Sequence, residues 1–205
     1  MNRHFVISGG PGTGKSTLIA ALREAGMHCF DEVSRQIIVE ANKNGTDLLP
    51  WSNLEAFAAE CHRRMKALLL EKEVQGLCFY DRGIPDIIAY LRNGGKPVPE
   101  YLFSDGKRYA KQVLVAPPWQ EIFVNDSERP QSFEECQRLH DLLLEIYTEL
   151  GYRVVMLPKL SVELRVNFVI HSVMEFCVQD MEANSKNLEV PNGQNLNSPG
   201  IFSGE

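Results

Sequence analysis

Five short apolar runs punctuate the chain, at residues 5–8, 27–30, 77–80, 112–116 and 153–157. Each is apolar throughout, and stretches with helical spacing separate one from the next. Strands that are apolar on both faces belong to parallel sheets covered by helices on each side. The pattern therefore predicts a three-layer α/β domain with a five-stranded parallel sheet, its ligand site at the carboxyl ends of the strands. Helix starts are also marked. Ser52 with Glu55 reads as a capping box ahead of a helix over 54–72, and Ser132 with Glu135 as another ahead of 133–150, which Gly151 then stops. Ser161 is positioned to cap a final helix from 162 to about 173. Beyond it, residues 182–205 are rich in Asn, Ser, Gly and Gln without a helical or strand period. A domain over 1–178 and a poorly ordered tail over 179–205 are expected.

Composition narrows the partners more than the fold. The 205 residues, 44% hydrophobic and 23% charged, suit one soluble domain. The net charge of −6, with no run of Lys and Arg, argues against a nucleic-acid backbone as partner and for a small-molecule acceptor. The basic group His62-Arg63-Arg64 with Lys66 falls in a Glu-rich helical stretch and reads as a solvated face. No apolar run is long enough to cross a bilayer. The opening Met1-Asn2-Arg3-His4 leads at once into the first strand, so no secretory signal is expected. Five scattered cysteines, an odd number with no C-x-x-C pair, read as reduced thiols in a cytoplasmic protein. Oligomeric state is not legible.

The candidate chemistry begins at Gly9-Gly10-Pro11-Gly12-Thr13-Gly14-Lys15-Ser16-Thr17, which satisfies G-x-x-x-x-G-K-[ST]. It follows the first apolar run and precedes Leu18-Ile19-Ala20-Ala21-Leu22, so it has the strand–loop–helix setting that a phosphate cradle requires. Glycines let successive backbone N–H groups turn toward a phosphate chain, and the helix start adds its positive dipole end. Lys15 is placed to reach the β- and γ-phosphates, and the Ser16 hydroxyl to ligate Mg²⁺. The bland alternative, a Gly-rich turn with a chance Lys-Ser, does not explain the flanking strand and helix. Nothing resembles the Asn-Lys-x-Asp element of guanine readers, so ATP with Mg²⁺ is the expected nucleotide.

Phosphoryl transfer also needs a base, a metal-holding acid and cations near the developing charge. After the second run come Asp31-Glu32-Val33-Ser34-Arg35. Either carboxylate could take the proton of an acceptor hydroxyl, or both could favour a helix start; Arg35 could pair with a carboxylate or a substrate phosphate. After the third come Asp81-Arg82-Gly83-Ile84-Pro85-Asp86, in which Asp81 stands where an acid holds Mg²⁺ through water. Arg82 could meet the acceptor or the transferred group, and Asp86 could face the acceptor pocket or a helix N-terminus. After the fourth lies a long irregular connection, 116–130, placed like a kinase lid. Its Arg129 is the first candidate for a lid cation and Arg138 the second, with a surface ion pair to Glu128 or Asp126 as the alternative for Arg129. Trp119 and Phe123 are read as packing at the lid base.

With these residues in view, the chain resembles the small P-loop ATPase/kinase domains of the AAA-type family that includes the ribosylnicotinamide kinase domain of bacterial NAD regulators. The matching pieces are the loop at Gly9 to Thr17, Asp31-Glu32-Val33-Ser34-Arg35, Asp81-Arg82-Gly83-Ile84-Pro85-Asp86, the stretch 125–135 and Leu157-Pro158-Lys159-Leu160-Ser161-Val162-Glu163. The resemblance spans 4 to about 170 and implies a P-loop nucleotide-kinase fold. A wider similarity to deoxynucleoside and thymidylate kinases implies that Glu32, with Asp31 the near alternative, acts as base. It also implies that Asp81 and Arg82 form the acid–arginine pair after the third strand, and that Arg129 corresponds loosely to a lid arginine. No sensor or helical small domain follows the fifth run, which argues against a ring-forming motor. The expected function is a Mg²⁺-dependent kinase that moves the γ-phosphoryl of ATP onto a nucleoside-like or other small-metabolite hydroxyl. The alternatives are an NTP hydrolase without acceptor and a nucleotide-dependent switch.

Overall fold

In the computed structural model, which describes residues 3–71, 76–123 and 132–188, the five expected strands form one sheet. They are β1 (Arg3–Gly9), β2 (His28–Phe30), β3 (Leu77–Asp81), β4 (Gln112–Ala116) and β5 (Arg153–Met156). All pair in parallel, in the spatial order β2-β3-β1-β4-β5. The phosphate-loop motif thus leaves the central strand, and the acid-bearing ends of β2 and β3 lie to one side of it.

The strands read as unbroken apolar runs because each feeds two cores. Val6, Cys78, Tyr80, Val113 and Val115 enter one hydrophobic cluster, whereas Phe5, Ile7, Phe79, Leu114 and Ala116 enter the other. The alternation follows from the period of two along a pleated strand. Helices α1 (Lys15–Glu24) and α7 (Val162–Leu188) cover the second cluster through Leu18, Ile19, Leu22, Val166, Val169 and Val173. The first is covered by α2 (Val33–Asn44), α3 (Leu54–Leu69), α4 (Ile84–Asn93), α5 (Glu100–Asp105) and α6 (Phe133–Glu149). Among the described residues no helix is long and apolar enough to cross a membrane.

Caps set two of the helix ends. At α6 the expected box forms in both directions: Glu135 N–H donates to Ser132 Oγ at 3.2 Å, and Ser132 N–H donates to Glu135 Oε2 at 2.7 Å. Gly151 follows at φ 76°, a left-handed position that glycine adopts without strain. At α3 the expectation is corrected. Asn53, not Ser52, caps the helix by accepting from Ala56 N–H at 3.2 Å. The Ser52 N–H closes a turn onto Leu49 instead, and the helix ends at Leu69, short of 72.

The last helix differs most from its expectation. It runs to Leu188, past 173 and through the boundary expected at 178. Tertiary ties carry it on. Arg3 pairs with Asp180 at 2.9 Å, Arg153 donates to Gln179 at 3.0 Å, and Phe176 meets Phe5 edge-on at 5.8 Å. These anchor a stretch of modest intrinsic propensity to the central strand β1 and the edge strand β5. The rest of the expected tail, 189–205, lies outside the described residues.

Candidate phosphoryl-transfer site

The loop between β1 and α1 folds around its own lysine. Lys15, 4% exposed, donates from Nζ to Gly10 O at 2.6 Å and to Thr13 Oγ1 at 3.3 Å, while Thr13 Oγ1 donates to Gly10 O at 2.9 Å. Gly12 and Gly14 stand at φ 68° and 75°, where a side chain would strain the backbone. A Cβ on Gly12 would also sit 2.6 Å from the Phe123 ring. Gly14 is the N-cap of α1; no side chain caps that end, and its first turn holds no acidic residue. The free N–H groups and the dipole end are therefore left for an anion. This fits a phosphate chain. Ser16 Oγ donates to Asp81 Oδ2 at 3.3 Å, so a hydroxyl and a carboxylate converge beside that cradle, the hard oxygen donors that Mg²⁺ takes.

Arg82 joins the cradle to its surroundings. It is 3% exposed and is the only non-glycine at positive φ among the described residues, at 72°. Its Nε donates to Glu32 Oε1 at 2.8 Å, and its Nη1 donates to Gly9 O at 2.9 Å and to Asp86 Oδ1 at 3.2 Å. Nη2 is buried with no hydrogen-bond partner among the described residues. These three side chains form the polar end of a cavity of about 350 Å³. Its remaining walls are mainly apolar, with Phe57, Met65, Ile87 and Tyr90 inside and Trp51 at the rim.

The sequence candidates separate clearly. Glu32, 5% exposed, lines the cavity and accepts a further bond from Ser34 Oγ. Asp31, its neighbour, lies on the outer surface with its side chain 64% exposed and pairs with Arg23 of α1 at 2.6 Å. The β2 end turns into α2 between them, so adjacent carboxylates face different surroundings. Arg35 is half-buried on α2 and is not among the residues lining the cavity, whereas Ser34 and Ile38 are.

Asp86 lines the cavity from the first turn of α4, and its bonds go to the scaffold. It accepts from Ser8 Oγ at 2.8 Å, from the Gly83 N–H at the start of α4 at 3.0 Å and from Tyr147 Oη at 2.6 Å. Burial first, and then Asp86, push the Tyr147 phenol well above its ordinary range, which keeps it a donor. Arg129 lies outside the described residues. Arg138 is 67% exposed on α6, 4.0 Å from Glu135, and is a surface group.

Several contributors carry no signal in the sequence. Ser8 and Tyr147 fix Asp86; Cys136 donates from Sγ to Pro11 O at 3.1 Å, packing α6 under the loop. Phe123, expected at the lid base, covers Gly12 and stands edge-on to Phe133 at 5.3 Å. Arg165, on the first turn of α7, is 3% exposed and reaches the loop at Thr13 and Gly14. Nothing local to Val162-Glu163-Leu164-Arg165 points to burial.

The fold recurs among small P-loop kinases and their relatives. The structure of NadR protein in complex with NR superposes with a TM-score of 0.59 at 19% identity, covering 85% of this chain and 49% of that one. The chain thus spans about half the length of that protein. Deoxyadenosine kinase from M. mycoides, with the products dCMP and dCDP, gives 0.56 at 15% identity, covering 84% of this chain and 99% of that one. Shikimate kinase from Acinetobacter baumannii, in complex with shikimate, gives 0.50 at 20% identity, covering 85% and 94%. No curated sequence matches the chain. From the first strand to Arg165 on the last helix, residues 4–165, the sequence fits the model of a single family, and the chain belongs to that family of AAA domains.

Proposed function

We propose that this protein is a Mg²⁺-dependent kinase that transfers the γ-phosphoryl group of ATP to a hydroxyl of a small acceptor held in the 350 Å³ cavity. The observation that carries this reading is Arg82, whose guanidinium spans from Gly9 of the phosphate loop to Glu32 in the cavity wall. A hydrolase needs room for water beside the phosphates; here a largely apolar chamber with a carboxylate and an arginine at its inner end adjoins the loop. The fold shared with nucleoside and shikimate kinases supports the same class. A flat, partly apolar acceptor suits the aromatic walls at Phe57, Tyr90 and Trp51.

The Gly9 to Thr17 loop, Lys15 and the amino end of α1 would hold the triphosphate, and Ser16 with Asp81 would hold Mg²⁺. Bound there, Mg·ATP supplies the phosphoryl group and neutralises part of its charge. Glu32 orients the acceptor hydroxyl and takes its proton on the carboxylate. Arg82, with Nη2 uncommitted, lies between Glu32 and the loop, where it can neutralise charge on the transferred group. Asp86 acts by position, locking Arg82 against β1 and α6. The apolar walls around the acceptor exclude competing water. A cytoplasmic location follows from an ATP-dependent reaction on small metabolites.

The test is ATP consumption with Mg²⁺, alone and against nucleosides, ribosides and hydroxy acids, with Lys15→Ala as control. Turnover that depends on one acceptor class supports the kinase. Equal turnover in every well, lost in the control, makes the protein a hydrolase. Tight ATP binding with no turnover across the panel favours a nucleotide-dependent switch.

A further inference from the structure

Arg165 presents an energetic problem that the described residues do not solve. Its side chain is almost fully removed from water, at 3% exposure. Nε has no hydrogen-bond partner among the described residues. Nη2 reaches Thr13 O only at 3.5 Å, beyond the range of a good N–H···O bond. No carboxylate among the described residues lies in ion-pair range of it. A guanidinium without a counter-ion is costly to bury, and the surrounding apolar groups press against its charge. Fixed scaffold holds it: the Arg165 N–H donates to Ser161 O at 3.0 Å, and Val166 and Val169, which follow it on α7, lie in the second core.

Its position shows what kind of partner suits it. Nη1 lies 3.0 Å from where a Cβ on Gly14 would stand, and Ile122 Cδ1 lies 3.1 Å from the same point. Arg165 therefore faces the uncapped amino end of α1, where the backbone already favours an anion. It comes from the α1–α7 face of the sheet, whereas Arg82 comes from the side of the acceptor cavity. An arginine fork matches phosphate oxygens in geometry as well as charge.

We infer that Arg165 is a phosphate-binding residue of the nucleotide site, supplied by the last helix, whose counter-ion is the bound triphosphate. The inference rests on the reading of the Gly9 to Thr17 loop as an ATP site. It gives the site a cation fixed on a helix, independent of any lid, and it couples α7 to nucleotide occupancy.

The experiment measures the affinity of Mg·ATP and Mg·ADP for wild type, Arg165→Met and Arg165→Gln, together with the melting temperature of each protein without nucleotide. Methionine keeps the length and apolar stem and removes the charge. Both variants are expected to bind ATP and ADP ~10- to 100-fold more weakly, the range of a lost charge-assisted hydrogen bond. The nucleotide-free melting temperature of Arg165→Met is expected to hold or rise, because a buried charge with no counter-ion among the described residues has gone. Should Arg165→Met fail to fold, Arg165→Gln gives the same comparison. Affinities within twofold of wild type in the folded variant overturn the inference and leave the kinase reading standing. A lowered nucleotide-free melting temperature with unchanged affinity shows a packing role and also overturns it. Absence of ATP binding in wild type removes the nucleotide site, and this inference with it.

Discussion

Arg82 holds Glu32 with a 2.8 Å bond from Nε to Oε1 while its own backbone stands at φ 72°. A long side chain in the left-handed region costs on the order of 1–2 kcal/mol. The conformation persists because Arg82 N–H donates to Ile7 O at 3.1 Å and the guanidinium is tied to Gly9, Glu32 and Asp86. The strain aims one arginine at two carboxylates and the phosphate loop together.

Arg82→Ala should therefore cost more than a lost surface pair. It leaves Glu32 and Asp86, 5% and 1% exposed, buried without their cation. The expected loss is about 3–5 kcal/mol in urea unfolding, with acceptor-dependent turnover abolished. A loss below about 1 kcal/mol would mean that the pair contributes little to holding the β3–α4 junction.

Adjacent carboxylates should behave differently. Glu32→Gln is expected to bind ATP as wild type does and to lower kcat by roughly 10²- to 10⁴-fold. Asp31→Asn, on the outer surface with Arg23, should leave kcat unchanged and stability within about 0.5 kcal/mol. Comparing kcat for the two variants decides the assignment: slow transfer in Asp31→Asn with normal transfer in Glu32→Gln reverses it.

The loop has no room at Gly12. In Gly12→Ala the new methyl meets Phe123, and the alanine must adopt a left-handed φ that its Cβ disfavours, so the loop must open or Phe123 must move. ATP affinity should fall at least ~10-fold, with about 1–2 kcal/mol of stability lost. Nucleotide titration and thermal unfolding check both parts, and unaltered affinity would show that Phe123 gives way freely.

Asp105 should make stability depend on acid. It is 3% exposed; Oδ2 accepts from His62 Nε2 and Lys66 Nζ at 2.8 Å each, and Oδ1 accepts from Arg108 Nε at 2.7 Å. Burial works to raise its pKa, but the bonds to Lys66, His62 and Arg108 outweigh it and hold the carboxyl well below the ordinary carboxylate range. A pKa lowered by folding gives stability that is fully present above the unfolded value, near ~3.9, and lost as pH falls toward the folded one. Asp105→Asn should thus cost about 1–3 kcal/mol at pH 7, with the gap to wild type narrowing below pH 4. Urea unfolding of both proteins at pH 7, 5 and 3 reads this directly; a gap that stays constant would assign the loss to packing.

By itself the sequence determined the elements and the cradle. Unbroken apolar runs locate strands that feed two cores, and Gly9 to Thr17 specifies its loop because the conformation is dictated by glycine and lysine within nine residues. Only tertiary structure decided the rest. By residue type alone either Asp31 or Glu32 could be the base, the resemblance favouring Glu32, and the turn from β2 into α2 sends Asp31 to solvent and Glu32 to the cavity. Ser52 and Asn53 both qualify as caps, and the turn at Leu49 selects the second. The Asn- and Ser-bearing stretch after 180 reads as unstructured, yet Arg3, Arg153 and Phe5 anchor the helix that leads into it. Arg165 reads as an ordinary helix-surface arginine until α7 packs on α1 and seals it against the loop. Local conformation depends on near neighbours and is written in short motifs; burial and charge pairing depend on partners tens or hundreds of residues away, which the fold alone brings together.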